Sequence, residues 1–296
     1  MKKVALAIAL SMLGAGTSVA ADMAVKARPM PPPIPVANWT GCYLGAGGGY
    51  NMFNERREVV APRGTTAGAG ANLAYAFAGP AGSVIVPSEN LGGEGWLVTG
   101  QVGCDYQFAG NWLVGAFADA DWTNARGEHG LLGLFRGERS MQWSWAVGGR
   151  VGWLVTPSLL AFVSGGYTQA DFGAMNYNAN NAAAALAIAN PAWNFALAAN
   201  GAAPGIQLGS QRYDGFFIGG GTEYAISALP GLFWKTEYRY ADYRSATTNI
   251  NCVNAALCGA LGATGLAERI RPTMQTVRSE LVWRFNSGGS SVVAKY

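Results

Sequence analysis

The stretch from Trp96 to Trp122 alternates apolar and polar positions with a period of two residues, which predicts two β-strands. Ala109-Gly110-Asn111 supplies a tight turn between them, and Asp119 and Asp121 lie on the face opposite the apolar one. Aromatic residues stand at both ends of the apolar face. This arrangement is typical of a lipid-facing barrel strand, because aromatic rings favour the two membrane interfaces. A strand of a soluble sandwich could alternate too, so the rest of the chain must decide.

The same alternation predicts six further strands, at Thr40–Phe53, Met141–Val155, Leu159–Ala170, Gly215–Ile226, Leu232–Asp242 and Thr273–Phe285. In the fourth of the eight strands, Met141 is predicted on the apolar face and Gln142 on the opposite one. The connections alternate between long and short, and the long ones are Asn54–Gly95, Asn124–Ser140, Asp171–Arg212 and the segment that holds Cys252 and Cys258. The sequence therefore predicts an all-β fold, an eight-stranded antiparallel up-and-down transmembrane barrel with short periplasmic turns and long extracellular loops.

The ends of the chain carry export and linker signals. Lys2 and Lys3 precede an apolar segment and the small residues Ser18-Val19-Ala20, so residues 1–20 are predicted to be a secretory signal peptide. Residues 21–38 hold closely spaced prolines, which lock φ and remove backbone donors, and predict an extended periplasmic spacer. Residues 39–285 form the predicted barrel, and residues 286–296 a C-terminal tail. The predicted location is the outer membrane of a Gram-negative bacterium.

Charged side chains are predicted on the inner face of the barrel, where an eight-stranded barrel has room only for side chains. Acids and bases occur there in similar number, so they can pair and close the lumen. The set consists of Asp105, Asp119, Asp121, Arg150, Glu223, Lys235, Glu237, Arg239, Arg278, Glu280 and Arg284.

Composition argues against nucleic-acid binding and against enzymatic activity. Only 12% of the residues are charged, and without Lys2 and Lys3 the chain has 18 basic and 17 acidic residues, a charge of +1 that does not favour nucleic acid. His129, the single histidine, lies in a predicted loop and is expected to be solvated. The paired Asp119 and Asp121 have no accompanying nucleophile or cleft, so we predict no catalytic residue, no metal site, no cofactor and no enzymatic activity.

Four cysteines in an exported chain allow three pairings. Cys252 and Cys258 lie in one connection and are candidates for a local disulfide. Cys42 and Cys104 fall in the first two strands with matching parity, so they could face each other across neighbouring strands. The alternative is a pair of reduced cysteines that face lipid.

Several short segments resemble the small outer-membrane barrel proteins of alpha-proteobacteria, the porin-like and opacity-like surface antigens. They are Asn38–Gly45, Gly100–Gly103, Thr222–Tyr224 and Lys235–Tyr240. In that family the positions of Cys42 and Cys104 are commonly aromatic, and the barrel often ends on an aromatic residue such as Phe285, whereas this chain continues to Tyr296. Some members are joined to peptidoglycan through an amino-terminal Ala-Asp, which Ala21-Asp22 matches, so the resemblance makes Ala21 a candidate attachment residue.

The predicted function is structural: a barrel that contributes to envelope integrity and surface display, with peptidoglycan as a possible tether. One alternative is a small passive diffusion channel, in which the same inner charges would line water. Another is a receptor or adhesin that binds a ligand through the extracellular loops. The expected partners are outer-membrane lipid and lipopolysaccharide.

Overall fold

A computed structural model describes residues 37–60, 83–131, 135–179, 206–252 and 263–285. All regular structure in these ranges is β-strand. No helix in the described ranges has the length and apolarity needed to cross a bilayer. The predicted signal peptide, almost all of the proline-rich spacer and the C-terminal tail lie outside the described residues. The strands are β1 (Gly41–Val60), β2 (Val84–Phe108), β3 (Trp112–Thr123), β4 (Arg126–Leu131), β5 (Phe135–Thr156), β6 (Leu159–Phe172), β7 (Met175–Ala179), β8 (Ile206–Leu208), β9 (Gln211–Ala225), β10 (Leu232–Tyr243), β11 (Ala246–Cys252) and β12 (Ala263–Phe285).

Eight of these strands form a closed antiparallel ring in the order β1-β2-β3-β5-β6-β9-β10-β12. The ring closes because β12 pairs with β1, from Cys42 opposite Phe285 to Val60 opposite Ala267. Each strand thus has a partner on both sides. Closure leaves no unpaired strand edge, which is what a sheet within lipid requires. The predicted all-β antiparallel barrel is confirmed.

The structure has twelve strand segments where the sequence predicted eight strands, and the additional four prolong predicted strands. The segments β4, β7, β8 and β11 are separated from β3, β6, β9 and β10 by two residues each, at 124–125, 173–174, 209–210 and 244–245. With β1, β2, β5 and β12 they form a second ring above the first, in the order β1-β2-β4-β5-β7-β8-β11-β12. The long connections were therefore predicted too long.

The faces of the strands follow the predicted alternation. Val98 and Ile218 are 63% and 68% exposed on the outer face, whereas the adjacent Leu97 and Phe217 are 4% and 6% exposed on the inner face. The prediction for Met141 was wrong, since its side chain is 1% exposed and points inward. A β-bulge explains why Met141 and Gln142 face the sides opposite to those predicted. Met141 pairs with Phe172 and Trp143 with Asp171, which leaves Gln142 as an extra, outward-facing residue.

The connections at the end of the barrel opposite the second ring are short. Ala109 and Gly110 take φ angles of 46° and 79° in the first of them, and Gly231 takes 90° in the last. These left-handed conformations allow the chain to reverse in a few residues. On the inner face, Gly47 permits close contact between β1 and β12: a Cβ there would overlap the carbonyl oxygen of Ser279 and lie 2.7 Å from Glu280 Cα.

Candidate functional site

Two arginines and two carboxylates form a closed ring of ion pairs in the lower part of the barrel interior. Arg150 binds Asp105 with its Nη2 atom 2.5 Å from Oδ2, and its Nη1 atom lies 3.0 Å from Glu223 Oε2. Arg284 contacts the same two acids, at 2.7 Å from Asp105 Oδ2 and 2.6 Å from Glu223 Oε1. The four residues come from β2, β5, β9 and β12, so the contacts cross the lumen. Every side chain is at most 1% exposed.

Aromatic rings surround this four-charge ring and close the end of the lumen below it. The Arg150 guanidinium lies 4.8 Å from the centre of the Tyr43 ring and 5.2 Å from that of Phe162. The Arg284 guanidinium lies 5.2 Å from the Trp39 ring, and its Nη1 atom donates to the Trp39 carbonyl oxygen at 2.9 Å. Trp39 is fully buried, and its indole nitrogen donates to the carbonyl oxygen of Pro157 at 3.2 Å. The residues before β1 therefore close this mouth of the barrel.

Lys235 occupies the next level of the interior. Its Nζ atom lies 2.9 Å from Glu237 Oε2 and 3.3 Å from Glu280 Oε1. It also donates to Gln101 Oε1 at 2.8 Å, so it joins β10, β12 and β2 across the lumen. The ammonium group thus finds three acceptors, which offsets the cost of removing a full charge from water.

At a third level of the interior, two arginines contact the same carboxylate. Asp119 lies 2.7 Å from Arg239 Nη2 and 3.1 Å from Arg278 Nη1. Arg239 also contacts Glu237 at 3.0 Å, and Arg278 contacts Asp121 at 3.3 Å. Through Glu237 this level is continuous with the level of Lys235. The interior is therefore crossed by charged contacts at successive heights.

The structure brings together all eleven charged residues that the sequence placed on the inner face. Each is at most 6% exposed and has at least one ion-pair partner in the set. Together they form ion pairs across the space between the strands. Such an arrangement can lock strands to one another, and it leaves no member of this set available to solvent.

A second buried cluster lies in the upper ring, and sequence reasoning missed it. His129 is on β4 and is 1% exposed, so the expectation of a solvated loop residue was wrong. Its Nε2 atom lies 2.8 Å from Glu55 Oε2, and Arg139 Nε lies 3.5 Å from the other oxygen of Glu55. The sequence offers no clear signal here, because the buried Glu55 and Arg57 continue the inner face of β1 among residues that are polar as well.

Arg57 is the centre of a neighbouring part of this upper cluster. Its Nη1 atom lies 3.1 Å from Glu268 Oε1, which also accepts a 2.6 Å hydrogen bond from the Tyr177 hydroxyl. Burial raises the pKa of Glu268, and the adjacent Arg57 guanidinium opposes that rise. Burial and the nearby Glu268 carboxylate likewise raise the pKa of Tyr177, which keeps its hydroxyl protonated as a donor.

The remaining candidate residues divide between the described and the undescribed parts of the chain. Cys42 and Cys104 are joined by a disulfide and lie directly opposite each other on β1 and β2. Cys258 and the side chain of Cys252 lie outside the described residues, as does Ala21. Within the described ranges, no cluster of three or more His, Cys, Asp or Glu side chains is arranged to hold a metal ion. The absence of enzymatic activity stays a prediction.

Comparisons with known proteins found similarity in structure only. No family model matches the chain, and no curated protein is similar to it in sequence. Among solved structures, Ail, the attachment invasion locus protein of Yersinia pestis, is 8% identical over 82% of this chain and 99% of its own, with a TM-score of 0.30. The outer-membrane protein OprG from Pseudomonas aeruginosa is 13% identical over 84% and 99%, with a TM-score of 0.41. AlkL, an outer-membrane protein, is 11% identical over 89% and 100%, with a TM-score of 0.39.

These TM-scores are too low to assign the chain by similarity, so its assignment depends on the closure of its barrel and on the residues of its outer face. The ring is closed, and its outer face carries Val, Ile and Leu between two belts of aromatic residues. A closed barrel with such an outer surface is the form in which an antiparallel sheet spans the bacterial outer membrane. The chain is an outer-membrane β-barrel.

Proposed function

We propose that this outer-membrane barrel has a structural role, in which a lumen closed by ion pairs serves envelope integrity and the display of the upper ring at the cell surface. The observation that carries the proposal is the burial of all eleven inner charges in mutual contact. A passive diffusion channel would need these charges to line water. An eight-stranded barrel has little interior volume beyond that of its side chains.

Planar-bilayer recording of the refolded mature protein tests the closed lumen. We expect no steady conductance in high salt. Insertion is verified in parallel by protection of vesicle-embedded protein from added protease, so that silence reports a closed barrel rather than a failure to insert. A stable conductance step from protein shown to be inserted would contradict the structural proposal and favour the diffusion channel.

We also propose that the amino terminus ties the barrel to peptidoglycan through Ala21. The proposal is supported by the Ala21-Asp22 sequence and by the proline-rich stretch that follows, which would extend by roughly 3.1 Å per residue as polyproline II. Mass spectrometry of lysozyme-released material should find a muropeptide on Ala21. A mature pool that carries only a free amino group at this residue would contradict the tether without affecting the proposal of a closed barrel.

A further inference from the structure

Exposed arginines are concentrated on one side of the outer surface, on four adjacent strands. Arg56 lies on β1, Arg269 and Arg271 on β12, Arg244 directly after β10, and Arg212 on β9. The side chains of Arg212, Arg269 and Arg271 are 58%, 45% and 57% exposed, and Arg56 and Arg244 are also exposed. We call the surface formed by these five residues the arginine face.

The arginine face lies above the aromatic belt of the outer membrane interface. Arg212 precedes the exposed Phe216 by four residues on β9, and Arg244 follows the exposed Tyr240 by four residues. Four residues of a strand that rises about 3.3 Å per residue and tilts by about 40° correspond to roughly 10 Å along the membrane normal. Because aromatic belts sit at the interface, this height is that of the lipid head groups.

The positive charge of the arginine face is only partly neutralised by the protein. Arg271 forms two contacts with Asp242, at 2.6 and 3.2 Å. Arg269 lies 3.3 Å from Glu58, and Arg212 lies 3.4 Å from Asp171. In the described part of the chain, no carboxylate forms a direct ion pair with Arg56 or Arg244, although Arg244 interacts electrostatically with the Asp214 carboxylate. The side chain of Arg56 donates to the hydroxyl of Ser88 at 3.4 Å.

The strand register adds a second indication that an anion belongs here. Arg56 on β1 is directly opposite Arg271 on β12. Like charges directly opposite each other in an antiparallel pair destabilise the sheet. An anion placed between the two guanidinium groups would attract both of them and so offset their mutual repulsion.

The two sides of the barrel differ in charge balance. On the arginine face the five arginines outnumber the acids beside them, Glu58, Asp171, Asp214 and Asp242. Among exposed residues of β2, β4 and β5, the acids Glu89, Glu94, Glu128 and Glu138 outnumber the bases Arg126 and Arg136. An anionic ligand at head-group height is therefore favoured on one side and opposed on the other.

We propose that the arginine face binds a phosphate group of lipopolysaccharide in the outer leaflet. Guanidinium groups recognise phosphate through paired, charge-assisted hydrogen bonds, and a row of them on adjacent strands suits an immobile, phosphorylated head group. The proposal requires that the barrel span the outer membrane. It does not depend on whether the lumen is closed.

The test compares two double variants of the full mature chain refolded in detergent. R56A/R244A removes the two arginines that form no direct ion pair with a described carboxylate, and R126A/R136A removes the same number of exposed arginines from the opposite side. Binding of purified lipopolysaccharide is measured by native mass spectrometry in the presence of a chelator, so that divalent cations cannot link phosphate to the acidic side. Heat-modifiable migration on gels confirms that each variant is folded.

We expect R56A/R244A to weaken binding about 30-fold, about fivefold for each arginine, while R126A/R136A changes it less than twofold. Lipopolysaccharide treated with phosphatase should bind the unaltered protein as weakly as untreated lipid binds R56A/R244A. Equal losses in the two double variants, or binding that survives phosphatase treatment, would overturn the proposal. So would a finding that R56A/R244A abolishes lateral contact between copies of the chain and leaves lipid binding intact.

Discussion

Replacing Arg150 with methionine should distinguish a closed interior from a wet one. Methionine keeps much of the side-chain length but removes the charge, so Asp105 and Glu223 would share the single cation Arg284. Breaking a buried ion pair by removing one partner costs about 3–5 kcal/mol, because the carboxylates stay buried with an incomplete set of partners. In a water-lined lumen the same change would cost about 0–1 kcal/mol, since solvent would replace the lost contact.

The matched control is Arg126→Met. The side chains of Arg126 and its ion-pair partner Glu138 are 65% and 58% exposed, so this change removes a pair that lies in solvent. We expect it to cost at most about 1 kcal/mol. Adding Glu223→Gln to Arg150→Met restores the balance of one acid and one base, and should recover a large part of the lost stability. The three variants are compared by equilibrium unfolding in urea in the presence of lipid vesicles, followed by tryptophan fluorescence. A loss for Arg150→Met no larger than that for Arg126→Met would refute the closed interior.

Three further changes test other parts of the barrel. Replacing Cys42 and Cys104 with serine should cost about 4 kcal/mol of unfolding free energy, from loop closure over a separation of 62 residues. Reductant should then destabilise the variant much less than it destabilises the unaltered protein. Gly47→Val should block pairing of β1 with β12 and prevent refolding, as judged by heat-modifiable migration, whereas Gly100→Ala has open space around its Cβ and should refold normally. His129→Ala should make the upper ring sensitive to protease and leave the membrane-embedded fragment protected.

The membrane-embedded part of the fold could be predicted because two different solvents act on its strands. Lipid outside selects apolar residues such as Val98 and Ile218, and the crowded interior tolerates charge only in pairs, as for Lys235 and Glu237. The period of two is therefore strong in the sequence. The one misplaced pair, Met141 and Gln142, fell at a bulge, where an added residue exchanges the faces without any change in composition.

The pairing of the inner charges could not be predicted, although the membership of the set could. Alternation assigns Arg239 and Asp119 to the inner face, but they belong to strands on different sides of the barrel. Which guanidinium meets which carboxylate depends on strand tilt and side-chain length across the lumen. Sequence spacing carries no information on either.

The upper ring was overlooked because its strands have water on their outer face. Glu55 and Arg57 are buried, but the residues between and beside them, Asn54, Arg56 and Glu58, are polar as well. With polar residues on both faces the contrast between alternate positions disappears, and a strand has the same composition as a loop. Hydrophobic periodicity therefore cannot detect a buried ion pair inside a barrel whose outer face is in water. His129 was assigned to solvent for this reason, and the exposed arginines just above the membrane were assigned to loops on the same basis.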